Sequence, residues 1–323
     1  MLRAVLRCVA FSLSIVVLAG CHSSGSNGLI SVKFQTDWYP QPEHGGFYEA
    51  LLKGYYKDEG LDVTILPGGP YVIAEQQVSL GAAQFAMGSS DRILEAVAQG
   101  QPLVAVAATM QHDPQGIMMH ANSPVHAFPD LEGHTVAIKT GATWFEYIVA
   151  RYQLKTVREI PATYSIANFL ADPNYIQQIF VTSEPFFARK AGADIRTLLI
   201  SDTGYDPYRV FFTSQSYAQA HPDVVAKFVR ASLRGWRDYM ADPTEVNAEL
   251  LKRNPAMTAE QMNFTWQALR DGHFIYPAND PAAAGSFDPA RWAAMEQQLA
   301  NLKVLAHPVE PTSAYTLKFL SAR

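Results

Sequence analysis

The chain has 323 residues, 48 % of them hydrophobic and 17 % charged, which excludes a disordered or fibrous chain and leaves room for two lobes of ordinary domain size. Its formal net charge is −5 and Lys and Arg form no run, which excludes a broad nucleic-acid footprint and makes a small or neutral ligand the simpler expectation. The two cysteines, Cys8 and Cys21, lie near the N-terminus, so the rest of the chain carries no disulfide framework, thiolate metal site or Cys nucleophile.

Arg3 and Arg7 precede an apolar stretch from Val9 to Leu18 that is short for a permanent membrane span, which reads as a secretion signal over residues 1–20. It ends in "LAGC", Leu18 to Cys21, which resembles the lipobox of bacterial lipoproteins. That resemblance implies a lipid on Cys21 and an extracytoplasmic, membrane-anchored protein. The polar "HSSGSNG" that follows reads as a flexible tether, 21–28.

"LISVKFQTDW" alternates apolar and polar residues and predicts a strand. Phe47 to Glu59 carries Tyr48, Leu51, Leu52, Tyr55 and Tyr56 on one helical stripe, stopped by Gly60. "LDVTILPG" predicts a strand, Ala74 to Leu80 a helix, "AQFAMGSSD" a strand and turn, Arg92 to Gln99 a helix, and "LVAVAATM" a buried strand. This β-α-β alternation predicts an α/β fold with open, mostly parallel sheets. A second unit is expected to start after "GIMMHANSPV", with "HTVAIKTGATWFEYIVARYQL" as strand, loop and helix, continued by "YIQQIFVTSEPFFARKAGADIRTLLIS". After "GYDPYRVFFTS" helices are expected over Pro222 to Met240, Thr244 to Arg253, Thr258 to Asp271 and Pro289 to Asn301, folded back on the first lobe. The expected division is 29–120 for lobe 1, 121–205 for lobe 2, and 206–323 for the return to lobe 1 with the C-terminal helices.

Asp37, Trp38, Tyr39 and Pro40, then His44 to Tyr48 and "KGYYKDEGLDV", resemble the opening of solute-binding proteins of ABC importers, in the family that binds pyrimidine precursors of thiamine and is related to nitrate, sulfonate and taurine binders. "AQFAMGSSD", "DLEGHTVAIKTGA", "VTSEPFFARKAG" and "GYDPYRVFFTS" match in the same order, so the resemblance spans about residues 30 to 320. It implies a two-lobed periplasmic-binding-protein-like fold (type II) closing on a solute, with hinges near 118–122 and 203–210. It also implies a membrane permease with its ATPase as partner, a monomeric binding component, no cofactor and no catalysis.

The residues themselves fit a ligand cradle. Trp38 and Tyr39 follow the C-terminal end of the first strand, where the crevice of an open α/β sheet lies, and offer ring faces for a flat heteroaromatic. Asp37 either accepts a hydrogen bond from a ring amino group or caps the turn. His44, Gly45 and Gly46 open the first helix, so the imidazole and nearby N–H groups are candidates to face the cleft. Ser89, Ser90 and Asp91 precede a helix; capping explains one Ser, and the resemblance makes the other a ligand donor. Thr140, Gly141, Thr143 and Trp144 form the equivalent turn of the second lobe, with helix N–H groups suited to an acceptor and an indole suited to stacking. Glu184, fixed by Pro185, is placed at the cleft by the resemblance, and Tyr205 with Asp206 is expected at the returning hinge; Tyr175 is a candidate for the cleft mouth.

No G-x-x-x-x-G-K-[ST], G-x-G-x-x-G or H-E-x-x-H motif occurs, which removes the usual support for nucleotide hydrolysis, dinucleotide chemistry and zincin proteolysis. Some eukaryotic relatives of the pyrimidine binders are synthases that depend on a Cys-rich motif, and the chain after Cys21 has no cysteine to build one. His112, His120, His126 and His134 lack companion acids, so no metal site is expected. A thiamine-related aminopyrimidine is the expected solute. The alternatives are a sulfonate, taurine or nitrate, for which only Arg92, Lys139 and Arg209 stand near the motifs, and a secreted enzyme.

Overall fold

The alternating Ile30, Val32 and Phe34 lie on β1 (Ile30–Gln35), where Val32 and Phe34 are fully buried and Ile30, at the strand's start, is exposed. The computed structural model describes residues 28–277 and 280–320, so the expected signal and Cys21 lie outside the described residues. After β1 come α1 (Gly45–Leu52) and α2 (Tyr55–Asp58). The single helix expected over Phe47 to Glu59 is broken because Gly54 adopts φ 77°, a left-handed conformation that suits a residue without Cβ. β2 (Leu61–Leu66), α3 (Ala74–Ser79), β3 (Phe85–Ser89), α4 (Ser90–Ala98) and β4 (Leu103–Met110) follow as the alternation predicts.

Next come β5 (Gln115–His120), β6 (Thr135–Ile138), α5 (Thr143–Tyr152), β7 (Arg158–Pro161), α6 (Ala167–Ala171), β8 (Ile176–Phe180), α7 (Glu184–Lys190) and β9 (Ile195–Leu199). The chain then runs through β10 (Arg209–Ser214), α8 (Gln215–Ala220), α9 (Pro222–Ala241), α10 (Thr244–Arg253), α11 (Ala259–Asp271) and α12 (Pro289–Leu302). β7 and α6 have no signal in the sequence: β7 is a polar edge strand ending at Pro161, with no apolar face to pattern.

Two five-stranded sheets form, in the orders β2-β1-β3-β10-β4 and β7-β6-β8-β5-β9. The sheets match in design. Each has three parallel strands, then one antiparallel strand, then an edge strand antiparallel to that one. The antiparallel strand is in each case the one that enters from the other lobe, β10 in the first sheet and β5 in the second. Gly116 to Met118 pair with both β8 and β9, so the first crossing is at residues 111–114 and not at the expected 118–122. "GIMMH" accordingly belongs to lobe 2, and a boundary at 120 falls at the end of one of its strands. The second crossing covers residues 200–208 and overlaps the expected 203–210.

The C-terminal helices do more than return to lobe 1. α9 packs on α1, where Gly46 and Gly235 let the helices meet: a Cβ on Gly235 would lie 2.1 Å from the Gly46 carbonyl oxygen. α11 reaches lobe 2, with Thr265 Oγ1 donating to the Thr182 carbonyl at 2.7 Å and Phe264 5.6 Å from the Phe186 ring. α12 packs on both α4 and α5, and its Trp292, Met295 and Leu299 belong to a core that runs without interruption through both lobes. A second core lies between the first sheet and α1, α9 and α11. On the other face of the second sheet, a small cluster among the described residues gathers Met118, Phe169, Ile179 and Ala188.

Candidate functional site

β1, β3, β6 and β8 are the inner parallel strands of the two sheets, and their C-terminal ends turn into Asp37, Ser89, Lys139 and Ser183, which all line one cleft between the lobes. The cleft has a volume of about 780 Å³. Open α/β sheets place ligands at such strand ends because the side chains beyond them are freed from pairing and core packing.

The first-lobe floor is a charged chain. Arg209, the first residue of β10, pairs with Asp37 Oδ2, while His44 Nε2 lies 3.0 Å from Asp37 Oδ1. Burial alone would raise the Asp37 carboxyl, but the Arg209 guanidinium and the His44 contact outweigh it and hold the acid well below the usual carboxylate range. Burial likewise opposes the charge of Arg209, which is kept protonated by Asp37, with Asp113 and Asp91 adding to the effect. Beside this chain, Asp91 accepts hydrogen bonds from Ser89 Oγ and, at 2.8 Å, from the Tyr205 hydroxyl.

Two buried contacts join the lobes at the cleft. Thr182 Oγ1 donates to Glu43 Oε1 at 2.6 Å, and Thr143 Oγ1 donates to Glu95 Oε1 at 2.7 Å. Burial raises both carboxyls; the threonine bonds oppose the shift, and Asp91 adds to it at Glu95. Glu184 accepts from the Phe180 backbone N–H at 2.8 Å, and burial pushes its carboxyl up to about 7 despite that bond. At the mouth Trp38 of lobe 1 and Tyr164 of lobe 2 meet, ring centroids 5.6 Å apart and planes at 50°. Tyr164 sits at φ 54°, a sparsely populated conformation for a side-chain-bearing residue.

Of the residues singled out from sequence, Asp37, Trp38, Ser89, Asp91, Thr140, Gly141, Thr143, Trp144 and Glu184 line the cleft, as does Tyr175. Several others stand elsewhere. Tyr39 turns away and is 49 % exposed, its ring edge-on to Trp38. His44 is wholly buried behind Asp37 and reaches the cleft only through that acid. Gly45 is a packing residue, since a Cβ there would lie 2.2 Å from the Tyr239 ring. Ser90 bonds the crossing segment, accepting the Tyr208 N–H at 3.0 Å. Ser89 makes no side-chain cap to α4. Tyr205 is buried and acts on Asp91 from behind. Trp144 touches the cleft but is 4 % exposed and packed in the core against Phe145, so its ring faces are not free.

Sequence reasoning missed Tyr164, Gln177 and Gln178 and set Arg209 aside, although all four line the cleft. "ATYSIA" and "YIQQIF" carry no motif. Their place follows from β7 and β8 lying beside β6, a pairing that local pattern does not encode.

The family described as NMT1/THI5 like matches residues 41–246. The riboflavin-binding protein RibY of Chloroflexus aurantiacus is 26 % identical over 305 residues, covering 90 % of this chain and 86 % of that protein. The formylaminopyrimidine-binding protein of Halalkalibacterium halodurans is 25 % identical over 256 residues, 75 % of this chain and 77 % of its own. Among solved structures, the periplasmic aliphatic sulphonate binding protein SsuA of Escherichia coli superposes with a TM-score of 0.66 at 15 % identity, over 88 % of this chain and 91 % of that one. The fold is therefore that of the periplasmic binding proteins, as the five ordered motifs imply.

Proposed function

Because the chain belongs to the NMT1/THI5-like family, we propose that it is the solute-binding component of an ABC importer and captures a planar heteroaromatic solute in the interlobe cleft. The observation that carries this reading is the pairing of Trp38 and Tyr164 from opposite lobes over a floor of fixed hydrogen-bonding groups. A flat ring entering between them has aromatic faces to stack on, while Asp37, Asp91, Glu184 and Gln177 offer acceptors and donors to its edge. Relatives whose names specify riboflavin and a formylaminopyrimidine support the class, and a pyrimidine-type edge is common to both solutes. A cleft of about 780 Å³ accommodates a fused ring system as well as the single aminopyrimidine ring favoured from sequence.

Closure of the lobes about the 111–114 and 200–208 crossings gives the solute contacts with both lobes, which favours the closed state and presents that state to a permease. Catalysis has no part in this reading, and no cofactor is needed. Cys21 carries the lipid that anchors a monomer to the extracytoplasmic face of a membrane, supported by "LAGC".

A sulfonate or other anion is the second reading, favoured by Lys139, which lines the cleft beside the first turn of α5. The other cations weigh against it. Arg209 is neutralised by Asp37, and Arg92 Nη1 bonds Glu95 at 2.8 Å. A thermal-shift screen of riboflavin, aminopyrimidines, thiamine, alkanesulfonates and nitrate separates the readings, since a solute at 100 times its Kd stabilises by about 2.7 kcal/mol. A shift with nitrate or sulfonates alone overturns the heteroaromatic reading, no shift with any solute overturns the binding reading, and chemical conversion of a bound solute overturns the non-catalytic one.

A further inference from the structure

Away from the cleft, a cavity of about 420 Å³ opens where the C-terminal ends of α1 and α9 meet the start of α10. Four carboxylates line it, Glu49, Asp238, Asp242 and Glu245, against a single ammonium, Lys53. Three of the acids have an occupation. Asp238 accepts from the Tyr55 hydroxyl, Asp242 Oδ1 accepts the Thr244 N–H at 3.0 Å at the start of α10, and Glu245 pairs with Lys53. Arg234 is engaged nearby by the Tyr55 ring, 3.6 Å from its centroid, and by Asp58 at 3.8 Å.

Glu49 differs from its neighbours. It is only 3 % exposed, it lines the cavity, and among the described residues no hydrogen bond or ion pair reaches its carboxylate. Its oxygens open onto the cavity and receive no protein donor there. The carbonyl ends of α1 and α9 add their partial negative charge to the same space. Burial, and then Asp238, Glu245 and Asp242 working against Lys53, raises the Glu49 carboxyl above its ordinary range, the field that an incoming cation would relieve. Among the described residues no three such side chains are arranged to hold a metal ion, which points to a larger cation carrying its own N–H donors. Guanidinium and ammonium groups supply three to five such donors and fit a space of this size.

We propose that this pocket binds an ammonium or guanidinium group, with Glu49 as its buried anchor. The group comes either from a small free cation or from a basic side chain of a protein partner. Calorimetric titration of the whole protein with agmatine, and with a capped Gly-Arg-Gly peptide, tests this in wild type and in Glu49→Gln. The expected result is binding to wild type that weakens about tenfold or more in Glu49→Gln. The unliganded variant should melt at or above the wild-type temperature, because Gln relieves the repulsion of Glu49 by Asp238, Glu245 and Asp242. Binding of agmatine alone assigns a free cation, and binding of the peptide as well assigns a side chain. Absence of binding by both probes overturns the proposal, and so does equal binding by the two proteins. A Glu49→Gln protein that melts well below wild type without any probe also overturns it, since Glu49 would then be a satisfied structural group.

Discussion

Asp37→Asn tests whether the cleft floor is an electrostatic unit. The Asp37 side chain is 25 % exposed and that of Arg209 12 %, so the pair is mostly but not wholly removed from water. Removing one partner of a fully buried pair costs about 3–5 kcal/mol, because the other charge is left uncompensated. Residual hydration in the cleft and the neighbouring Asp113 and Asp91 carboxylates bring the expectation down to about 2–3 kcal/mol. For a chain of this length that corresponds to a fall in melting temperature on the order of 3–5 °C. Arg209→Met added to Asp37→Asn removes the orphaned cation and should recover much of the loss. The pH dependence has a definite sign. A carboxyl held below its unfolded value of about 3.9 stabilises the fold fully above that pH, and the contribution disappears as the pH falls further. The difference between wild type and Asp37→Asn should therefore shrink below about pH 4. A single variant within about 1 kcal/mol of wild type at neutral pH, or a double variant no more stable than the single, would refute the electrostatic unit.

Trp38→Ala should weaken solute binding by about 1–3 kcal/mol, the scale of aromatic stacking on bases, and abolish most of the solute-induced change in tryptophan fluorescence. A variant that melts lower yet binds as tightly as wild type would make Trp38 a structural residue of the turn. Glu184 carries the opposite pH sign to Asp37: its carboxyl, raised to about 7, keeps its proton in the folded state, so stability is greatest at low pH and declines as the pH rises from about 4.3 towards 7. Glu184→Gln should flatten that decline in pH-dependent melting curves, and an unchanged slope would assign it to other groups.

What the residues declare on their own is local. The alternation of Ile30, Val32 and Phe34 and the continuous apolar run of β4 gave strands within a residue or two of their place, and α10 was expected over the residues it occupies, because a buried face imposes its period on the sequence whatever it packs against. The loops at strand ends were legible for the same reason, and with them Asp37 and Trp38, whereas Ser89 and Glu184 were directed to the cleft by the family resemblance.

Tertiary structure decided the rest. β5 reads as an apolar strand in either lobe, and only its pairing with β8 and β9 places it in the second sheet. Trp144 and Tyr164 are both aromatic residues near a loop, yet one is drawn into the core and the other stands at the mouth opposite Trp38. His44 and Gly45 look exposed at the start of a helix until segments about two hundred residues further along cover them, α11 packing on the turn that holds His44 and the Tyr239 ring of α9 lying against Gly45. Periodicity records that a residue is buried or free, whereas the identity of its neighbour is set by which distant segments pair and pack, a choice made by the summed burial of whole elements and written in no single stretch of chain.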